Sequence, residues 1–228
     1  MAMHTKGKEK PLQVEKTDSS LGSRKRTIVT RLPVRGTNEL NAEILSCKLC
    51  RLSESRIRAV PGEGKDNSPE IMIVGEAPGR NEDKTGRPFV GAGGKLLDSL
   101  LEKTGLARED VFITNIVKCR PPKNRRPKSD EIETCTTRYL ERQIQLIRPK
   151  LICTLGATAL QYFTDEKSMA NNHGKLSKSK NGLIVYPSYH PAAIFRNRLL
   201  KDVLDEDLGR IPSILKRIDK EIERVEEF

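Results

Sequence analysis

The chain has 228 residues, enough for one α/β domain with a sizeable core plus a tail. Its formal charge of +11 favours a polyanionic partner, because each phosphate neutralised releases counterions. No apolar run approaches the ~18 residues of a membrane span, and the opening Met-Ala-Met-His-Thr-Lys-Gly-Lys lacks the apolar core of a secretory signal. A cytosolic or nuclear-type compartment is therefore expected.

Residues 1–36 are rich in Lys, Ser and Thr with little apolar periodicity, which predicts a disordered basic tail. Such an arm suits a replication or repair protein, or DNA itself. Residues 37–228 form the expected domain. A helix begins near Thr37, places Leu40, Ile44 and Leu45 on one face, and delivers Cys47 and Cys50. Residues 51–68 read as a basic loop.

The run Ile71-Met72-Ile73-Val74 has the length and β-branched character of a strand, and Gly75, Pro78 and Gly79 stop it in a turn. A polar loop with Glu82 and Asp83 follows, then Gly86-Arg87-Pro88-Phe89-Val90-Gly91. A helix is predicted over 92–102, with Leu96, Leu97 and Leu100 inward. This is no phosphate loop, because Lys95 precedes Leu96 rather than Ser or Thr, and no Gly-x-Gly-x-x-Gly occurs there.

A second strand is predicted over 111–117, nearly all apolar until Thr114 and Asn115. Residues 119–127 form a strongly basic loop. Ser129 is expected to cap a helix that carries Cys135 in its second turn. A third strand covers 151–156 and a fourth 183–187, separated by a short helix and a polar loop over 165–182. The fourth strand leads into Ser188-Tyr189-His190-Pro191-Ala192-Ala193, and one long charged helix from about residue 199 closes the chain.

Apolar strands alternating with helices predict a three-layer αβα sandwich around a four-stranded, mainly parallel sheet. Residues 75–83, Asn115 and His190 then lie at the carboxyl ends of different strands. In a parallel sheet these ends share one edge, which is where such folds bind ligands.

The residue types there permit definite chemistry. Asn115 both donates and accepts, so it suits a base edge presenting one group of each kind. Phe89, between Pro88 and Gly91, offers a face on which a base can stack. His190 suits donation to a developing anion. Glu82 and Asp83 suit placing a water or stabilising positive charge on a sugar. Cys47, Cys50, Cys119 and Cys135 read as one metal site, and thiolates serve either zinc or an iron–sulfur cluster. Cys153, inside an apolar strand, reads as a buried small hydrophobe. Arg120, Lys123, Arg125 and Arg126 would lie beside the cysteines and bind phosphates.

These residues resemble those of the family 4 uracil-DNA glycosylases, the iron–sulfur branch of the uracil-DNA glycosylase superfamily. The similarity rests on Gly75-Glu76-Ala77-Pro78-Gly79 with Glu82-Asp83, on the segment 86–91, on Thr114-Asn115-Ile116-Val117-Lys118-Cys119-Arg120-Pro121-Pro122, on His190-Pro191-Ala192-Ala193 with Arg196, and on the four cysteines. It covers about residues 38–218. The resemblance implies a [4Fe-4S] cluster on Cys47, Cys50, Cys119 and Cys135. It also implies hydrolytic removal of uracil flipped out of single- or double-stranded DNA. By that analogy Phe89 stacks on the base, Asn115 reads its O4/N3 edge, and His190 stabilises charge at O2. Glu82 acts on the water or the sugar, the backbone at Glu76 and Ala77 lines the pocket, and Arg196 joins the basic loop on the DNA.

Ala77 and Gly79 stand where the best-known branch of the superfamily has a water-activating Asp and a thymine-excluding Tyr. A monomer is expected. The competing readings are a DNA-binding iron–sulfur module without catalysis and a glycosylase of wider scope that takes hypoxanthine.

Overall fold

The computed structural model describes residues 36–226; residues 1–35 of the expected tail lie outside them. One sheet contains six strands: β1 (Glu63–Gly64), β2 (Ile71–Gly75), β3 (Phe112–Asn115), β4 (Leu151–Leu155), β5 (Ser177–Lys178) and β6 (Ile184–Ser188), in the order β1-β3-β2-β4-β6-β5. The four predicted strands form the parallel centre. The sheet exceeds the expected four strands because β1 and β5 add an antiparallel edge at either side. Each spans two residues, too few to show a hydrophobic period.

Ten helices are described: α1 (Thr37–Ser46), α2 (Leu52–Ser55), α3 (Arg80–Thr85), α4 (Ala92–Lys103), α5 (Ser129–Cys135), α6 (Glu141–Ile147), α7 (Ala157–Thr164), α8 (Met169–Asn172), α9 (Leu200–Gly209) and α10 (Ile211–Glu226). Alternate strand residues face opposite sides. Met72, Val74, Phe112 and Ile152 pack with Leu40, Ile44, Ile147 and Phe163 of α1, α6 and α7. Ile71, Ile73, Ile113 and Leu151 pack with Leu97, Leu101, Leu204 and Ile211 of α4, α9 and α10. This makes the three layers. Each of these strand side chains is fully or almost fully buried, which contributes about 1.5–3 kcal/mol apiece. Cys153 lies among them as expected, and burial pushes its thiol up to about 12.

Several boundaries differ from the sequence reading. The second strand ends at Asn115, and the Ile116 and Val117 amides turn to the carbonyls of Gly75 and Glu76. Residues 80–85, expected as a polar loop, form helix α3 with Glu82 and Asp83 buried in its first turn. Lys128, not Ser129, occupies the cap position of α5, and its amide donates to the Glu131 carboxylate at 2.8 Å. The expected long C-terminal helix is two, since Pro212 fits the first turn of a new helix but cannot continue an old one. No helix among the described residues is long and apolar enough to cross a membrane.

Candidate active site

The sheet register sets the site. Gly75 at the end of β2 lies directly opposite Asn115 at the end of β3. A Cβ on Gly75 would sit 2.5 Å from Asn115 Oδ1 and 2.5 Å from Phe89 Cζ. Only a hydrogen at this position lets both side chains close over the strand end. Asn115 is buried, and its carbonyl accepts from Lys118 Nζ at 2.8 Å. Its side-chain amide makes no hydrogen bond among the described residues, so its donor and acceptor stay available on the cavity wall.

Phe89 is buried with φ +49°. A left-handed backbone costs a non-glycine residue about 1–2 kcal/mol, so the surroundings must hold it. Glu82 supplies part of that hold. Its Oε1 accepts from the amides of Val90 (2.9 Å) and Gly91 (2.7 Å). Gly79 makes room for the carboxylate: a Cβ there would meet Glu82 Oε2 at 2.6 Å.

His190 enters from the end of β6. Its Nδ1 accepts from the Ala192 amide at 3.1 Å, so the neutral ring carries its proton on Nε2. Burial pushes its pKa down to about 4, against the opposing pull of the Glu82 carboxylate. The imidazole is therefore a neutral donor at ordinary pH. Phe89, His190 and Asn115 line one cavity of about 740 Å³ with Glu76, Ala77 and Glu82. The Glu76 carboxylate also accepts a short hydrogen bond from the Thr158 hydroxyl at the start of α7.

Asp83 does not face this cavity. Its Oδ1 accepts from the amides of Ile57 (2.8 Å) and Arg58 (3.3 Å), tying down the segment after α2. That segment carries Arg56, which donates to Cys119 Sγ at 2.8 Å and to the Cys47 carbonyl at 2.7 Å. The four cysteines are neighbours. Cys119 feels the charge of Cys50 and Cys47, and Cys135 that of Cys119 and Cys50. Burial pushes Cys135 up to about 12. Backbone amides donate to two of the sulfurs, Leu49 to Cys47 (3.5 Å) and Lys118 to Cys135 (3.3 Å). Among the described residues no set of three or more His, Cys, Asp or Glu converges closely enough to hold a single metal ion.

The basic residues take different positions. Arg196 lines the cavity and is exposed, as are Lys123 and Arg126 on the loop. Arg126 donates to Gln161. Arg120 donates to Asn124 at 2.7 Å. Arg125 makes a bidentate pair, 2.8 and 2.7 Å, with the buried Glu131, whose carboxyl it holds below the usual range.

Sequence reasoning missed three groups. Lys118 is almost fully buried, with Nζ on Thr114 Oγ1 (2.6 Å) and on the Asn115 carbonyl. Burial lowers its pKa to about 7. Arg56 gave no signal, being one of many arginines. Phe195, 60% exposed beside Arg196 on the cavity lining, was visible only as an aromatic following the His190 motif.

Residues 61–208 match the model of the uracil-DNA glycosylase superfamily. The chain is 48% identical over 184 residues to the type-4 uracil-DNA glycosylase of Sulfurisphaera tokodaii, covering 76% of this chain and 82% of the relative. It is 46% identical over 182 residues to the type-4 enzyme of Saccharolobus solfataricus, covering 76% and 83%. To that of Thermotoga maritima it is 42% identical over 182 residues, covering 78% and 94%. With the cavity at the sheet edge and these similarities together, the chain belongs to the uracil-DNA glycosylase superfamily and groups with its type-4 members.

Proposed function

We propose that this chain removes uracil from DNA by hydrolysing its N-glycosidic bond, leaving an abasic site for repair. The observation that carries the reading is the convergence, in one cavity, of an aromatic face at Phe89, an amide at Asn115 that is unpaired among the described residues, and a neutral Nε2–H donor at His190. A base held there must first leave the stack. The Phe89 ring then stacks on it, and the Asn115 amide meets an edge that offers one acceptor and one donor. As the C1′–N1 bond breaks, its electron pair moves into the uracil ring. His190 Nε2–H donates to the oxygen where that charge collects, and a donor of this kind contributes by matching charge that develops only in the transition state. Water attacks C1′, and its proton ends on the released base. Oε1 of Glu82 holds the Phe89 loop while Oε2 has no hydrogen-bond partner among the described residues, which supports a role in stabilising the positive sugar or placing the water.

Cys47, Cys50, Cys119 and Cys135 would hold a [4Fe-4S] cluster. Four neighbouring thiols with amide and guanidinium donors on three sulfurs suit a charged thiolate group. When bound, the cluster would supply iron–thiolate links between the end of α1, the segment after β3 and α5. The exposure of Arg126, Lys123 and Arg196 supports their contact with phosphates, whereas Arg125 is engaged with Glu131. The reading takes the protein as a monomer. A cytosolic setting, single- and double-stranded substrates and a docking role for the basic segment 1–36 complete the proposal.

The experiment is excision on a labelled single-stranded oligonucleotide carrying one uracil, developed with alkali, alongside double-stranded U·G and hypoxanthine substrates. Cleavage at uracil supports the reading. No cleavage by folded, metal-loaded protein would favour a binding module, and cleavage at hypoxanthine would widen the substrate range.

A further inference from the structure

The loop that presents Phe89 is gripped from outside the cavity. Arg108 opens the short turn Arg108–Asp110 ahead of β3, and its side chain is only 13% exposed. Nη1 donates to the Phe89 carbonyl at 3.2 Å, and Nη2 donates to the Pro88 carbonyl. Two carboxylates fix the guanidinium in turn: Glu63 on β1 takes Nε at 2.8 Å, and Asp98 on α4 takes Nη1 at 2.7 Å. Glu63 also pairs with Arg87, one residue before Pro88.

Combined with the Glu82 contacts, this gives four successive loop residues a fixed polar partner. The carbonyls of Pro88 and Phe89 go to Arg108, and the amides of Val90 and Gly91 go to Glu82. Behind them the Phe89 carbonyl presses on α4, where a Cβ on Gly94 would lie 1.8 Å away. A bulky residue stays in the left-handed region only where its surroundings over-determine it. Arg108 is absent from the cavity lining, so it acts on the loop from outside.

We infer that Arg108 is a positioning residue for base stacking, its guanidinium fork holding the Phe89 backbone so that the ring faces the base site. This rests on the reading of Phe89 as the stacking surface. Lysine would keep the charge toward Glu63 and Asp98 but lacks the planar fork that reaches two carbonyls and two carboxylates together.

The test is a double-mutant cycle on the full chain, read as the affinity for free uracil and as kcat/KM on the single-stranded uracil oligonucleotide. Arg108→Gln and Arg108→Lys are each expected to weaken both by about 10- to 100-fold, the scale of a misplaced group in an active site. In a Phe89→Ala background neither should cause further loss, because the ring on which they act is gone. Should Arg108→Gln fail to fold, Arg108→Lys and its double variant carry the same cycle. Losses that add to that of Phe89→Ala, or an Arg108→Lys variant with unaltered values, would overturn the clamp. A Phe89→Ala variant with unaltered uracil affinity would remove the stacking reading, and the clamp with it.

Discussion

The rings of Phe89 and His190 lie with centroids 5.5 Å apart and an interplanar angle of 24°. One comes from the loop before α4 and the other from the end of β6, so a single wall of the cavity joins the aromatic face to the donor. Packing in that wall removes water from the imidazole, and this desolvation sets its protonation.

His190 therefore gives the first expectation. Its pKa of about 4 lies below the ordinary 6.5 because burial disfavours the charged ring. The neutral donor persists as pH falls until about 4, so the His190-dependent part of kcat/KM should stay flat from pH 8 to 5 and be lost below. Stability follows the same sign. Between pH 6.5 and 4 the unfolded chain takes up a proton that the folded one refuses, so stability is full above 6.5 and declines as pH falls toward 4. Melting of the wild type and of His190→Gln across this range measures the difference. A wild-type decline no steeper than that of the variant would refute it.

Asn115→Ala should lower kcat by roughly 100- to 1,000-fold, the scale for removing one oriented polar group at a reacting centre. The change leaves strand β3 paired through its backbone, so the melting temperature should move little. Activity assays and calorimetry on the same preparation check both halves. Near-normal rates would end the base-reading role.

Cys119→Ala should bleach the brown colour expected of the purified protein and lower its melting temperature. It also removes the acceptor of Arg56 Nη1, while Nη2 keeps the Cys47 and Leu45 carbonyls. Iron and sulfide analysis of wild type and variant is the check, and equal iron content would reject Cys119 as a ligand.

Two adjacent arginines should behave differently. Arg126→Ala should weaken DNA binding and lower the salt slope by about 1, with base preference unchanged. Arg125→Ala should instead lower the melting temperature, because among the described residues it leaves the buried Glu131 with only the more distant Arg51 at 3.7 Å and the Lys128 amide. Filter binding over a salt series, paired with melting curves, separates the two. A stability loss confined to Arg126→Ala would reverse the assignment.

The sheet was legible because its central strands are short, apolar and β-branched, and covered on both faces. Their order along one edge then brought Asn115, His190 and the 75–91 segment together by topology alone. What stayed hidden depends on which partner a polar side chain chooses. Glu82 and Asp83 read as carboxylates of a polar loop, yet both are buried because backbone amides, distant in sequence for Asp83, satisfy them. Arg125 and Arg126 look alike as letters, and only the folded position of Glu131 tells them apart. Lys118 follows Asn115 by three residues, a spacing that on a strand gives no hint that its amine folds back on the Asn115 carbonyl.

Strand β1 is two residues long and pairs with the outer side of β3. Short edges of this kind open early in native-state fluctuations, well before the central strands. Glu63 on that edge anchors the guanidinium that grips Pro88 and Phe89. The lifetime of a well-formed stacking surface is thus linked to the weakest strand of the sheet rather than to its rigid centre, and exchange of the Lys65 amide, which donates to the Val111 carbonyl at 3.2 Å, reports on the readiness of a pocket whose walls it never touches.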